Sequence, residues 1–212
     1  MREYIKFFFA SVAGSAFLFT GCQETYFDTM ESLGKPRREL MVNRVVDARD
    51  AQQETAEQFE DALDKFIEVT NYSGGKLEDK YRTLKGEYEK SQKKADEVTE
   101  RINKVEEVSQ SLFEQWQDET EEYTSDLLRA KSIDQLKKTR AKYSEMMLAM
   151  RQAEEKMAPV LAAFKDQVLF LKHNLNGQAV AQLKTELTRI ELDTQQLIKQ
   201  MKKSIDEANK FI

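Results

Sequence analysis

Few residues in this chain could do chemistry, and their spacing narrows what that chemistry could be. The sequence holds one histidine and one cysteine. A carboxylate-bridged dimetal bundle needs two Glu-x-x-His pairs, whereas His173 has Phe170 at that offset, so no metal or cofactor is expected. "SGGKLEDK" carries Gly74, Gly75 and Lys76 but lacks the spaced first glycine and the following Ser or Thr of a phosphate-binding loop. Adjacent carboxylates such as Glu121 and Glu122, or Glu154 and Glu155, are ordinary on solvated helix faces. His173 sits in "FLKHNLN", where a histidine at a helix C-terminus complements the last carbonyls. Cys22 has no partner for an intrachain disulfide and no neighbouring base to make it a nucleophile. No catalytic residue is assigned and the chain is read as non-enzymatic.

The setting of Cys22 gives it a different role. Arg2 and Lys6 precede "FFFASVAGSAFLF", Phe7 to Phe19, an uncharged run too short for the ~20 apolar residues that cross a bilayer. This is the charged and apolar pattern of an export signal, assigned to residues 1–21. Phe19, Thr20 and Gly21 before Cys22 resemble a bacterial lipoprotein cleavage motif, although Leu is commoner than Phe at the first of these positions. The resemblance implies that Cys22 becomes the first mature residue and carries a diacylglyceryl group. With Gln23 rather than Asp next, it implies the periplasmic face of the outer membrane of a Gram-negative cell. Several acyl chains on one residue give durable anchoring.

Composition dictates the rest. Without Met1–Gly21 the chain keeps 31 basic and 37 acidic residues, an acidic balance unsuited to general nucleic-acid binding. One third of the residues are charged, with two prolines and seven glycines, as in long helices. Apolar residues recur every 3.5 positions in four stretches, among them Leu84, Val98, Ile102, Val105, Leu112 and Trp116 in the second. That period predicts left-handed coiled-coil packing.

The predicted fold is all-α, an elongated antiparallel coiled-coil four-helix bundle. A tether spans 22–37, in which "SLGKPRR" breaks the helical pattern, and the bundle spans 38–212. Its helices are placed near 38–72, 76–130, 133–175 and 178–211, with turns at "NYSGGK", "AKSID" (Ser132 as N-cap) and "LNGQ". Folding each hairpin at its turn sets Phe59 opposite Tyr88, Leu112 opposite Met150 and Leu171 opposite Leu183. The second helix then outruns its neighbours, and its hairpin with the third projects as a tip near Lys131, on the same side as the anchor. Pro159 is expected to bend the third helix without breaking it. Polar seam residues Glu119, Arg140 and Glu154 are candidates for fixing register. Arg129, Lys131, Lys137 and Lys138, beside Leu127, Leu128 and Ile133, are candidates for membrane or partner contact. Acidic residues across the hairpin could instead neutralise them.

The segments "YFDTMESLGKPRRELMVNRVVDARDAQQETAEQF", "GGKLEDKY", "APVLAAFKDQVLFLKHNLN" and "IDEANKFI" resemble an uncharacterised proteobacterial lipoprotein family, DUF2959, from about Thr25 to Ile212. The resemblance brings no activity; members are sometimes labelled DNA-repair ATPases, a label without motif support here. The expected role is a lipid-anchored envelope scaffold or adaptor that meets the membrane through its anchor and an envelope protein or peptidoglycan through its surface. Period alone leaves a homo-oligomer open. A second reading is a bundle that opens around a lipid or apolar ligand at Met146, Met147, Met150 and Met157. A third, an intracellular coiled coil associated with DNA, requires the export signal to be misread.

Overall fold

The computed structural model describes residues 20–71, 74, 76–174 and 176–212, with side chains from Thr25 onward except at positions 177 and 179. Of the export signal expected at residues 1–21, residues 1–19 lie outside the described residues, as does the side chain of Cys22. Five helices follow one another: α1 Thr20–Ser32, α2 Arg37–Thr70, α3 Leu77–Glu119, α4 Asp126–His173 and α5 Gly177–Phe211. A single 3₁₀ turn, Thr120–Glu122, lies between α3 and α4.

The fold is an all-α antiparallel bundle. Helices α2 to α5 pack in chain order, and α2 closes the ring against α5. Seam residues from all four, including Phe59, Ile102, Met150 and Leu197, are completely buried in one continuous apolar core. Each such side chain contributes roughly 1.5–3 kcal/mol of transfer free energy. Between the helices, Lys94–Glu54 at 2.5 Å and Arg151–Glu106 at 2.5 Å lie across the outer edges of the seams. The α4 helix runs through Pro159 unbroken.

Two parts of the chain depart from the sequence reading. The first is 22–37, expected as a tether: most of it is helix α1, docked on the bundle. Phe27 is buried with Met41, Val108, Phe113 and Leu136. The break in "SLGKPRR" is a glycine-terminated helix end. Gly34 adopts φ 79°, its N–H donates to the Glu31 carbonyl at 2.9 Å, and the Lys35 N–H donates to Met30 at 3.0 Å. These are the paired bonds of a Schellman cap. Pro36 then precedes the first turn of α2.

The second departure is the α3–α4 turn, which lies at 120–125 rather than 130–134. Ser125 caps α4 by accepting from the Leu128 N–H at 3.4 Å, and Arg129 donates to the Tyr123 carbonyl at 2.6 Å. Ser132, expected as the cap, lies inside α4 and accepts from the Trp116 indole at 2.9 Å. Phe113 therefore meets Tyr143, with ring centroids 5.3 Å apart, about one heptad from the expected pairing with the Met150 region. A full-heptad slip keeps apolar residues facing apolar residues, so the pattern alone does not detect it.

A projecting hairpin remains, shorter than expected. Arg37, at the start of α2, donates to Ser111 of α3 at 2.8 Å, and Phe211, at the end of α5, packs on Tyr143 of α4 at 6.5 Å. Beyond those levels α3 and α4 continue as a pair, and Glu31 of α1 reaches Gln115 of α3. Every core residue of the described chain lies between Phe27 and Ala208, so the chain from Cys22 onward contains the whole of this core.

Candidate functional site

Apolar side chains are exposed on the body, as at Leu148 and Leu192, and on the hairpin, and the base of the hairpin also carries a groove. Arg37 organises this region. It is buried, pairs with Asp28 and more distantly with Glu31, and lies 6.0 Å from the Phe27 ring. With its bond to Ser111, one guanidinium joins α1, α2 and α3. Planar, multiply donating arginine suits such a junction.

Where α2 begins and α5 ends, two corners of the four-helix cross-section stop while α3 and α4 continue. Helix α1 covers part of the vacated surface. What is left is a groove of about 870 Å³ between the ends of α2 and α5 and the hairpin base. Met41, Val42, Leu112, Trp116 and Phe211 contribute apolar surface to it. Arg38, Lys138 and Lys142 contribute positive charge. Leu112 and Trp116 are seam residues by the heptad rule, half-buried here because the helices that would cover them end below.

The four cations expected to act together are divided by the structure. Arg129 turns back on the hairpin turn and lies 3.7 Å from Asp126. Lys138 pairs with Asp134 at 2.6 Å and lines the groove. Lys131 and Lys137 are exposed. Leu127, Leu128 and Ile133 beside them are exposed by 65%, 52% and 45%. Cys22 falls in the first turn of α1.

The polar seam residues also differ from expectation. Glu119 is exposed and accepts from Gln115 at 2.9 Å. Arg140 reaches the Phe113 carbonyl at 3.0 Å and lies 5.4 Å from its ring, while Glu154 pairs with Arg151 at 2.8 Å. None enters the core. A polar link within the four-helix core is instead Ser204 of α5 donating to Gln52 of α2 at 2.7 Å, both fully buried. Heptad spacing places Gln52 and Ser204 on seams, but their meeting depends on which helices are neighbours.

Titration behaviour gives no cleft of activated groups among the described residues. Lys65 and Lys80, hydrogen-bonded to Glu68, hold its exposed carboxyl down at about 2. Glu54 raises Lys94 through a surface hydrogen bond, and burial pushes the Tyr143 phenol up. No cluster of three or more His, Cys, Asp or Glu suited to a metal occurs among the described residues.

The fold and these surfaces define an all-helical antiparallel bundle distinguished by a docked N-terminal helix and a grooved hairpin base. The chain belongs to the family described as "Protein of unknown function (DUF2959)", which it matches over residues 26–212. The match takes in the second half of α1 and the whole of the bundle. No curated protein and no solved structure matches the chain.

Proposed function

We propose that this protein is a non-enzymatic lipoprotein of the bacterial envelope, anchored through Cys22 on the periplasmic face of the outer membrane and acting as a scaffold or adaptor. The observation that carries the reading is the run of Leu127, Leu128 and Ile133 left in solvent within the first turns of α4, at one end of a body with one continuous core. Catalytic sites gather titratable groups with shifted pKa values in a cleft. Here the strongly shifted carboxylate, Glu68, is an exposed ion-pair member. An unsatisfied apolar end on a long helical bundle suits display to a protein or peptidoglycan partner.

Docking of α1 adds a geometric consequence. An acyl anchor on the first turn of that helix would hold the hairpin base close to the membrane, without the slack of a tether. The test is radiolabelled palmitate incorporation into the full chain and a Cys22→Ser variant, each followed through membrane fractionation. Label in the unmodified chain alone, recovered with the outer membrane, is the expected result. An unlabelled or soluble cytoplasmic protein would remove the anchor and the location together.

A further inference from the structure

We propose that the groove at the hairpin base is a binding site for a single-chain amphiphile with an anionic head, of the long-chain carboxylate class. Its volume, about 870 Å³, lies in the range of roughly 300–1,000 Å³ typical of small-ligand sites. Val42, Leu112, Trp116 and Phe211 supply an apolar lining, with the buried Met41 beneath it. The Trp116 indole N–H is already bonded to Ser132, so Trp116 brings no unmet donor to an alkyl chain.

Charge selects the head group. Of the lining carboxylates, Glu31 pairs with Arg37 and accepts from Gln115, and Glu119 accepts from Gln115 without a cation partner. Lys138 is shared with Asp134. Arg38 and Lys142 form no salt bridge with any described residue, in contrast to Lys94, Arg101 and Arg151, which pair between helices of the body. Glu119 meets only the neutral Gln115 amide, so Arg38 and Lys142 outnumber it among the unpaired charges, and an apolar trough with that positive balance complements a carboxylate carried on an alkyl chain. The buried methionines take no part. Met146, Met147, Met150 and Met157 are all within the packed core, so the site requires no opening of the bundle. The inference is independent of the anchor and goes beyond the scaffold reading.

Trp116 is the only tryptophan and lines the groove, so its emission reports occupancy directly. The experiment titrates dodecanoate, below its micellar concentration, into the chain from Cys22 onward carrying Cys22→Ser, with calorimetry for stoichiometry. The expected result is a saturable change in Trp116 emission at one amphiphile per chain, with no saturable response to dodecyltrimethylammonium. Arg38→Glu with Lys142→Glu is expected to weaken binding by roughly tenfold or more while leaving the thermal melt in place. Val42→Phe, which narrows the floor and spares both cations, is expected to weaken it as well. No saturable signal, or equal binding of the cationic amphiphile, would overturn the site. So would light scattering that showed a second copy of the chain filling the groove. Binding to phosphatidylglycerol vesicles without binding to dodecanoate would overturn it in favour of membrane docking.

Discussion

The body and the hairpin are built from the same heptad pattern and have opposite fates. In the body, four seams meet and residues such as Val45, Phe59, Ile102 and Met150 lose contact with water. At the hairpin the pattern continues through Leu112 and Trp116, but α2 and α5 have ended, and the same kinds of side chain line a groove. Apolar spacing specifies a face; the lengths of neighbouring helices decide whether that face becomes core or surface. The most direct way to break this comparison is to truncate one residue in each region. Phe59→Ala is expected to cost about 3–5 kcal/mol in urea unfolding, the usual price of a large aromatic cavity. Leu127→Ala is expected to stay within about 0.5 kcal/mol. Comparable losses at the two positions would mean that the hairpin is packed as tightly as the body.

The junction between the regions should give the next largest effect. Arg37→Ala removes the bonds to Ser111 and the pairing with Asp28, and leaves Asp28 largely solvated. A cost of about 1–3 kcal/mol is expected, concentrated in α1. Amide exchange would locate it: protection should fall across α1, around Phe27, while amides near Ile102 remain slow. Uniform loss of protection would show that α1 docking is integral to the body.

Within the body, the Ser204–Gln52 bond tests how a polar contact is tolerated in an otherwise apolar core. Ser204→Ala leaves the Gln52 carbonyl oxygen without its donor and is expected to cost about 1–2 kcal/mol. The double variant Gln52→Leu with Ser204→Ala should recover most of that loss, because both polar groups leave the core together. A double variant no more stable than the single one would show that shape, rather than hydrogen bonding, dominates at this layer.

Much of this architecture was legible in the residues. The helical class, the break at "SLGKPRR", the turn near Asn71 and the end of α4 near Asn174 follow from glycine, proline and heptad spacing. Two facts were not. The α3–α4 turn, "TEEYTS", contains neither glycine nor proline, and apolar residues lie at heptad spacing on both sides of it, through Trp116, Tyr123 and Ile133. A helix continuing through the segment satisfied the same pattern. The groove was illegible for a different reason, since it is made by where α2 starts and α5 stops relative to the last turns of α3 and the early turns of α4. The Lys138 and Lys142 side chains belong to one surface with Arg38 only after the chain has folded. Grouping cations by sequence neighbourhood put Lys138 with Arg129, which the hairpin turn engages separately.

The smallest expected effect lies at the far end of the body, where α2 gives way to α3. Glu68 of α2 accepts from Lys65 of its own helix and from Lys80 of α3, both at 2.9 Å. These contacts lower its carboxyl from the ordinary 4.5 to about 2. A carboxyl with a depressed pKa in the folded state stabilises that state when ionised. Its contribution is therefore complete above pH 4.5 and is lost as the pH falls toward 2. Glu68 is exposed, with about 53% of its side chain in solvent, so water and salt screen the pair and the effect should be slight. Urea midpoints of the unmodified chain minus those of Glu68→Gln should be positive and level above about pH 5, shrink through the acid range, and diminish in added salt. A difference that persists at pH 2 would show that Glu68 acts through packing. Either outcome sharpens the comparison between the two ends of the molecule: one is joined by solvated pairs between adjacent helices, the other by a buried arginine.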